Sequence, residues 1–187
     1  MPVTYEQFKN AFIAAADRYR LGDAVRENWV WLESDRKDRD RVTQLPPRGQ
    51  VTTDDLTRSS QRVLFDVADA LGLDVTWECP PGHDSTQKLD AALFGRASRL
   101  PEVAWEHANL IKNGPGDARK LLLYPVPLRV LATYPTPEEP NSLSQLVGEC
   151  NHIVPHQPKS SFLIILGMPD GTWQFRSRQP SGFEEAR

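Results

Sequence analysis

Two cysteines in 187 residues, Cys79 and Cys150, make no disulfide framework. No apolar run approaches the length needed to cross a bilayer. The opening stretch MPVTYEQFKN has neither a basic start nor an apolar segment, so it does not read as a secretory signal, and the cytoplasm is the expected compartment. Basic charge is not in surplus either: the net charge is -3 and the pI about 5.8. A protein that coats nucleic acid constitutively is usually basic, so any such contact is expected from a local patch or a transient encounter. Gly114-Pro115-Gly116 precedes a helix but lacks the glycine pattern and lysine of a phosphate loop. Internal repeats are absent.

What remains is an ordinary globular composition, 39% hydrophobic and 25% charged, long enough for one domain with a real core. The expected division is a single domain, 1–187. Residues 1–52 supply an N-terminal helix and a charged, Pro-rich connection, 53–178 a core, and 179–187 a frayed tail. Thr4 and Gln7 form a capping-box pattern, and Phe8, Phe12, Ala15 and Tyr19 recur at helical spacing, which predicts an amphipathic helix over 5–20. The short apolar piece 29–32 has no firm assignment. The run 33–41 mixes charge signs that nearly cancel, so it reads as solvated surface.

A second helix begins near Thr52 or Thr53, with Asp54 and Asp55 favourable in its first turn. Its stripe is Leu56, Val63, Leu64, Val67 and Leu71, and Gly72 ends it. Residues 73–79 alternate like a strand and Pro80-Pro81-Gly82 breaks them. Strands are predicted over 88–94 and 102–108. A turn follows at 113–116, then a short helix from Asp117 to Tyr124 and a strand over 128–134. A third clear helix opens at Ser142, with stripe Leu143, Leu146, Val147 and Cys150. The segments 161–168 and 172–178 flank Pro169-Asp170-Gly171, a hairpin signature. This order predicts an α+β fold: a mixed central sheet flanked by helices, with an αβββαβ core, an N-terminal helix, and a C-terminal helix plus hairpin.

Two acidic residues interrupt apolar strands, in Leu89-Asp90-Ala91-Ala92-Leu93 and Val103-Ala104-Trp105-Glu106. If the strands form a hairpin whose loop centres on residue 98, Asp90 and Glu106 lie opposite each other, each eight positions from the centre. Like charges directly opposite destabilise a sheet. A divalent cation between them, Mg²⁺ or Mn²⁺, gives the pair a reason, because hard cations are commonly held by one or two carboxylates plus substrate phosphate. The plain alternative is two acids facing solvent on a half-exposed sheet, and a one-residue slip would separate them. Residue 88 then faces residue 108, which puts Lys88 one pair away from the acids. Glu78, ending the first strand of the meander, is either a third acid or surface. His107 points away from Glu106 and reads as structural, and Asn109 as a turn.

The order of elements over about 54–134, with Asp on the second strand and Glu on the third, resembles the PD-(D/E)XK nuclease superfamily. The local echoes are Lys88-Leu89-Asp90-Ala91-Ala92-Leu93-Phe94, Val103-Ala104-Trp105-Glu106-His107-Ala108-Asn109, and Lys120-Leu121-Leu122 with Leu128-Arg129-Val130-Leu131-Ala132-Thr133-Tyr134. The second is similar to the E-H-x-N third-strand motif of some uncharacterised members. The resemblance implies a restriction-endonuclease-like core and metal-dependent phosphodiester hydrolysis of nucleic acid. Asp90, Glu106 and Glu78 would be the metal-binding acids. In two places the pattern is broken: Leu89 stands where Pro would precede Asp90, and Ala108 where the superfamily has a lysine that positions or activates water. Lys88 is the first candidate to replace that lysine and Lys120, on the following helix, the second.

Other chemistry finds less support. Cys79 with His83, and Cys150 with His152 and His156, supply the residue types of a zinc site, but their spacings match no common finger and Pro155 keeps the two histidines off one helical face. Cys150 reads as core. Trp77 and Trp105 read as core too, not as a base-stacking series. The expected partners are nucleic acid, DNA ahead of RNA, and either a second copy of the chain or an activating protein, with no membrane. The alternative to an enzyme is a nuclease-like fold kept as a non-catalytic binding or regulatory module, which the missing lysine and acidic pI favour.

Overall fold

The computed structural model describes residues 2–26, 53–80, 88–96, 100–108, 111–135, 142–155 and 161–185. The apolar piece 29–32, the connection 33–52, Pro81, Gly82, His83, Asn109, the segment 136–140 and His156 lie outside the described residues, as do the side chains of 53–58.

Helix α1, Tyr5–Arg18, starts where the capping box requires: Thr4 Oγ1 accepts from the Gln7 N–H at 3.2 Å, and Gln7 Oε1 accepts from the Thr4 N–H at 2.9 Å. Phe8, Phe12 and Ala15 are buried, and the Phe12 ring stands edge-on to Trp173 with centroids 5.0 Å apart. Tyr19, expected in the same stripe, is instead 37% exposed and donates to Asp66 at 3.1 Å. The helix has already ended, so the phenol swings to the neighbouring helix. Helical backbone resumes over 21–26. There Gly22 meets the tip of the C-terminal hairpin: a Cβ on Gly171, whose φ is +83°, would sit 2.7 Å from the Gly22 carbonyl oxygen.

Helix α2, Thr53–Leu71, buries Val63, Leu64, Val67 and Ala68 and stops at Gly72, φ +69°. The strands follow as β1 (Leu73–Cys79), β2 (Leu89–Gly95), β3 (Pro101–Ala108), β4 (Leu128–Thr133), β5 (Ser161–Gly167), β6 (Trp173–Gln179) and β7 (Gly182–Glu185). They form one seven-stranded sheet in sequence order. β1–β2–β3 are antiparallel, β3–β4–β5 parallel, and β5–β6–β7 antiparallel. Each parallel step needs a crossover, and α3 (Gly114–Leu122) and α4 (Ser142–Ile153) provide the two. The architecture is thus a mixed sheet flanked by helices. One core packs α1 and α2 against Ala91, Leu93, Val103, Trp105, Val130 and Ile165. The other packs α3 and α4 against Ala92, Ala104, Leu131 and Ile164.

Two expectations need correction. Helix α3 begins at Gly114, not at Asp117, because Pro115 occupies its first turn, where a missing N–H costs nothing. The stretch that reads as a turn is therefore a helix start, and Gly114 is fitted to it: a Cβ there would lie 2.6 Å from Leu146 Cδ1. The tail 179–187 is not frayed throughout. β7 pairs with β6, Phe183 is buried with its ring 5.6 Å from that of Phe162, and its N–H donates to Asn151 Oδ1 at 2.8 Å.

Candidate functional site

β2 and β3 pair Ala91 with Trp105, Ala92 with Ala104 and Leu93 with Val103, the register expected from a loop centred on residue 98. A bulge at Leu93/Phe94 then brings Phe94 to Pro101. At the other end the pairing stops at Ala91–Trp105, although β3 continues beside β4 to Ala108–Thr133. The pair 88/108 is therefore not formed. Beyond Ala91 the strands are joined by side chains: the Asp90 N–H donates to Glu106 Oε1 at 3.1 Å, and the His107 N–H donates to Asp90 Oδ2 at 2.7 Å. Each carboxylate takes the place a strand carbonyl would hold, so both acids turn into the gap between β2 and β3.

On the other flank of Asp90 the pairing is interrupted too. Trp77–Ala91 and Cys79–Leu89 are partners, but Glu78 between them has φ +49°. A non-glycine residue in that left-handed region costs roughly 1 kcal/mol or more. Glu78, Asp90 and Glu106 thus stand in register on three neighbouring strands, where neither ladder is continuous.

Glu106 is almost fully buried, at 1% exposure, and its Oε2 lies 2.5 Å from the Lys120 ammonium of α3. Lys120 also lies 3.7 Å from Asp117, one turn earlier. Burial, reinforced by repulsion from Asp90, raises the Glu106 pKa to about 8 against the pull of Lys120. Asp117 is raised by burial as well, with Lys120 opposing. Burial works to lower Lys120, but its hydrogen bond to Glu106 and the surrounding acids outweigh that and raise it. The cluster is therefore one cation among three acids, two of them held above their usual range.

The two lysines separate. Lys88 is exposed and lies 3.3 Å from Glu78, while Lys120 is the lysine at Glu106. The physical reason is the parted ladder: without the 88/108 pair, nothing holds Lys88 over the acids. Asp117 was legible only as a helix-start residue, yet its i,i+3 spacing to Lys120 was a usable signal.

His107 is structural in its ring: Nε2 is 2.7 Å from the Tyr134 hydroxyl, and burial depresses its pKa to about 4, so the imidazole is neutral at ordinary pH. Burial raises Tyr134 in turn, with the nearby Ser60 hydroxyl opposing. In front of this pair a cleft of about 380 Å³ is lined by Ser60 and Gln61 of α2, Trp77 and Glu78 of β1, Asp90, and Trp105 and His107 of β3. Trp105 is core as expected, whereas Trp77 is half-buried and borders this cleft. Ser60, Gln61 and Tyr134 carry no local signal of a role, because a helix distant in sequence closes the cleft.

Cys79 is a half-buried free thiol and Cys150 a buried one in the core beneath α4, where burial pushes its pKa up to about 12. Among the described residues no group of three or more His, Cys, Asp or Glu side chains is arranged to hold a metal ion by itself. No helix among them is long and apolar enough to cross a membrane. Asp90 and Glu106 offer hard carboxylate oxygens, and the Asp90 charge repels that of Glu106, a set that suits a cation completing its shell with water and phosphate. Comparison with known protein families finds no matching model, and comparison with curated proteins finds no significant match.

Proposed function

We propose that the chain is a metal-dependent nuclease of the PD-(D/E)XK kind, with Asp90 and Glu106 as the ligands of a Mg²⁺ or Mn²⁺ ion and Lys120 as the cationic group beside them. One observation carries the reading: where β2 and β3 part, the Glu106 carboxylate accepts from the Asp90 backbone N–H at 3.1 Å and lies 2.5 Å from the Lys120 ammonium. When bound, such an ion supplies Lewis-acid polarisation of a phosphate oxygen. The protein's own part follows from the geometry. The His107 N–H holds the Asp90 carboxylate in place. Lys120 keeps Glu106 oriented and lends positive charge near a phosphate that becomes more negative as it reacts. Glu78, exposed and paired with Lys88 at 3.3 Å, is not counted among the ligands in this reading. The substrate class is nucleic acid, DNA ahead of RNA, and the expected compartment is the cytoplasm.

A second reading has a specific observation behind it. Glu106 is already hydrogen-bonded and ion-paired by the chain itself, so the fold can stand without a cation as a non-catalytic binding module. The test is cleavage of labelled single- and double-stranded DNA and RNA by the purified chain in Mg²⁺ or Mn²⁺. Asp90→Asn and Lys120→Ala are each expected to reduce cleavage by about a hundredfold or more. Cleavage by the parent that persists in both variants, or none by the parent with any substrate and either ion, overturns the nuclease reading.

A further inference from the structure

The cleft beside Asp90 has the chemistry of a base-binding pocket, and we infer that it takes one unstacked nucleobase of a single-stranded nucleic acid. This rests on the nuclease reading for its substrate class, but it concerns separate residues. Trp77 stands half-buried on one wall, with the Phe65 ring of α2 edge-on to it at 5.5 Å and itself 53% exposed. Trp77, which lines the cleft and remains in partial reach of solvent, offers a stacking face. The polar fittings match a base edge. Gln61 carries both a donor and an acceptor on one amide, and lines the cleft from α2. Ser60, one residue earlier, is only 7% exposed and lines the cleft too; its hydroxyl lies close enough to Tyr134 to oppose the rise of that phenol's pKa, but among the described residues no partner meets it in full hydrogen-bond geometry. A buried hydroxyl without a partner costs stability unless a ligand or water supplies one. The cavity, about 380 Å³, lies within the range of small-ligand sites and suits a single base with part of its sugar.

Stacking decides between single strand and duplex. With a net charge of -3 the chain gains little from counterion release along a duplex backbone. Stacking is independent of that term and needs a base free of its partner. The cleft adjoins the acid site through Asp90, while Glu106 and Lys120 do not line it.

The experiment uses the full chain in EDTA, so no cleavage occurs and the result is independent of catalysis. Fluorescence anisotropy compares a labelled single-stranded oligonucleotide with the same sequence as a duplex, in DNA and RNA arms. Single strands are expected to bind at least tenfold more tightly than duplex, and Trp77→Leu to lose about tenfold, as for one base–aromatic stack. Trp77→Phe should keep most of the affinity. Gln61→Ala, a change at an exposed position with no packing role, should lose several-fold. No single-strand preference in either arm, or unchanged affinity in both Trp77→Leu and Gln61→Ala, overturns the proposal. Strong base-dependent binding without metal-dependent cleavage would leave this pocket standing and remove the nuclease reading alone.

Discussion

The two halves of the sheet are built on opposite terms. β4 is buried at every position, and β5 at all but its first, with unbroken parallel pairing from Leu128–Ser161 to Thr133–Leu166. Even the one charged residue of β4 is absorbed into the structure: Arg129 donates to the carbonyls of Leu121 at 3.1 Å and Tyr124 at 2.7 Å, which closes the end of α3. The β1–β3 half carries two interrupted ladders, a left-handed Glu78, three acids in register and the cleft. Regular pairing and a complete apolar face give stability at the centre. At the edge the backbone gives up pairing, and side-chain carboxylates stand in the gap. Stability and chemistry are thus kept on different strands.

The largest expected effect lies in the first half. Leu131 is fully buried between α3 and the sheet. Leu131→Ala should cost about 3–4 kcal/mol through lost burial and the cavity left behind. Denaturant melts with an unchanged m-value would check it, and a cost below about 1 kcal/mol would show that this half is not the rigid one.

Much of this contrast was legible before any coordinates. Hydrophobic periodicity located α1, α2, α4 and strands β1–β6, and the loop centre gave the β2–β3 register from Ala91–Trp105 to Leu93–Val103. The misses share a cause. The parting of β2 from β3 depends on side chains replacing backbone partners, and no alternation pattern reports that, so residues 88 and 108 were expected to pair. β7 is four residues long and depends on Asn151 of a distant helix, and α3 starts on Gly-Pro-Gly, which locally favours a turn. The cleft needs α2 to pack over β1–β3, a tertiary fact with no local trace.

The next effect concerns the buried acid. An unfolded Glu106 loses its proton near the ordinary glutamate value of 4.5, while the folded one holds it to about 8. Between those values the folded state binds more protons, so this group's contribution to stability falls as pH rises through that window and levels off above it. Glu106→Gln carries no such charge and should flatten the pH dependence. Relative to the parent it should gain on the order of 3–4 kcal/mol between pH 5 and pH 8.5. Melts of both proteins at the two pH values decide it. A parent that becomes more stable as pH rises through this window would mean that the Lys120 pair, not burial, governs the site.

The smallest effect is the most discriminating, because it separates two lysines of the same chemistry. Lys88 and Lys120 were both candidates for the charge missing at Ala108, and register arguments put Lys88 first. Its partner is Glu78, at 3.3 Å, with both side chains more than half exposed. An ion pair of that kind contributes about 0–1 kcal/mol, and salt screens it further. Lys88→Ala should therefore change stability by no more than about 0.5 kcal/mol. If the chain cleaves nucleic acid, the same variant should keep its rate within about threefold of the parent, less than 1 kcal/mol in barrier. Lys120 lies 2.5 Å from a buried carboxylate, and its removal leaves that carboxylate without its counter-charge. Measured side by side, a large loss in Lys120→Ala with none in Lys88→Ala assigns the cationic role to the helix. The reverse result would return it to the strand, and would require Lys88 to leave Glu78 and cross the open end of β2 when substrate binds.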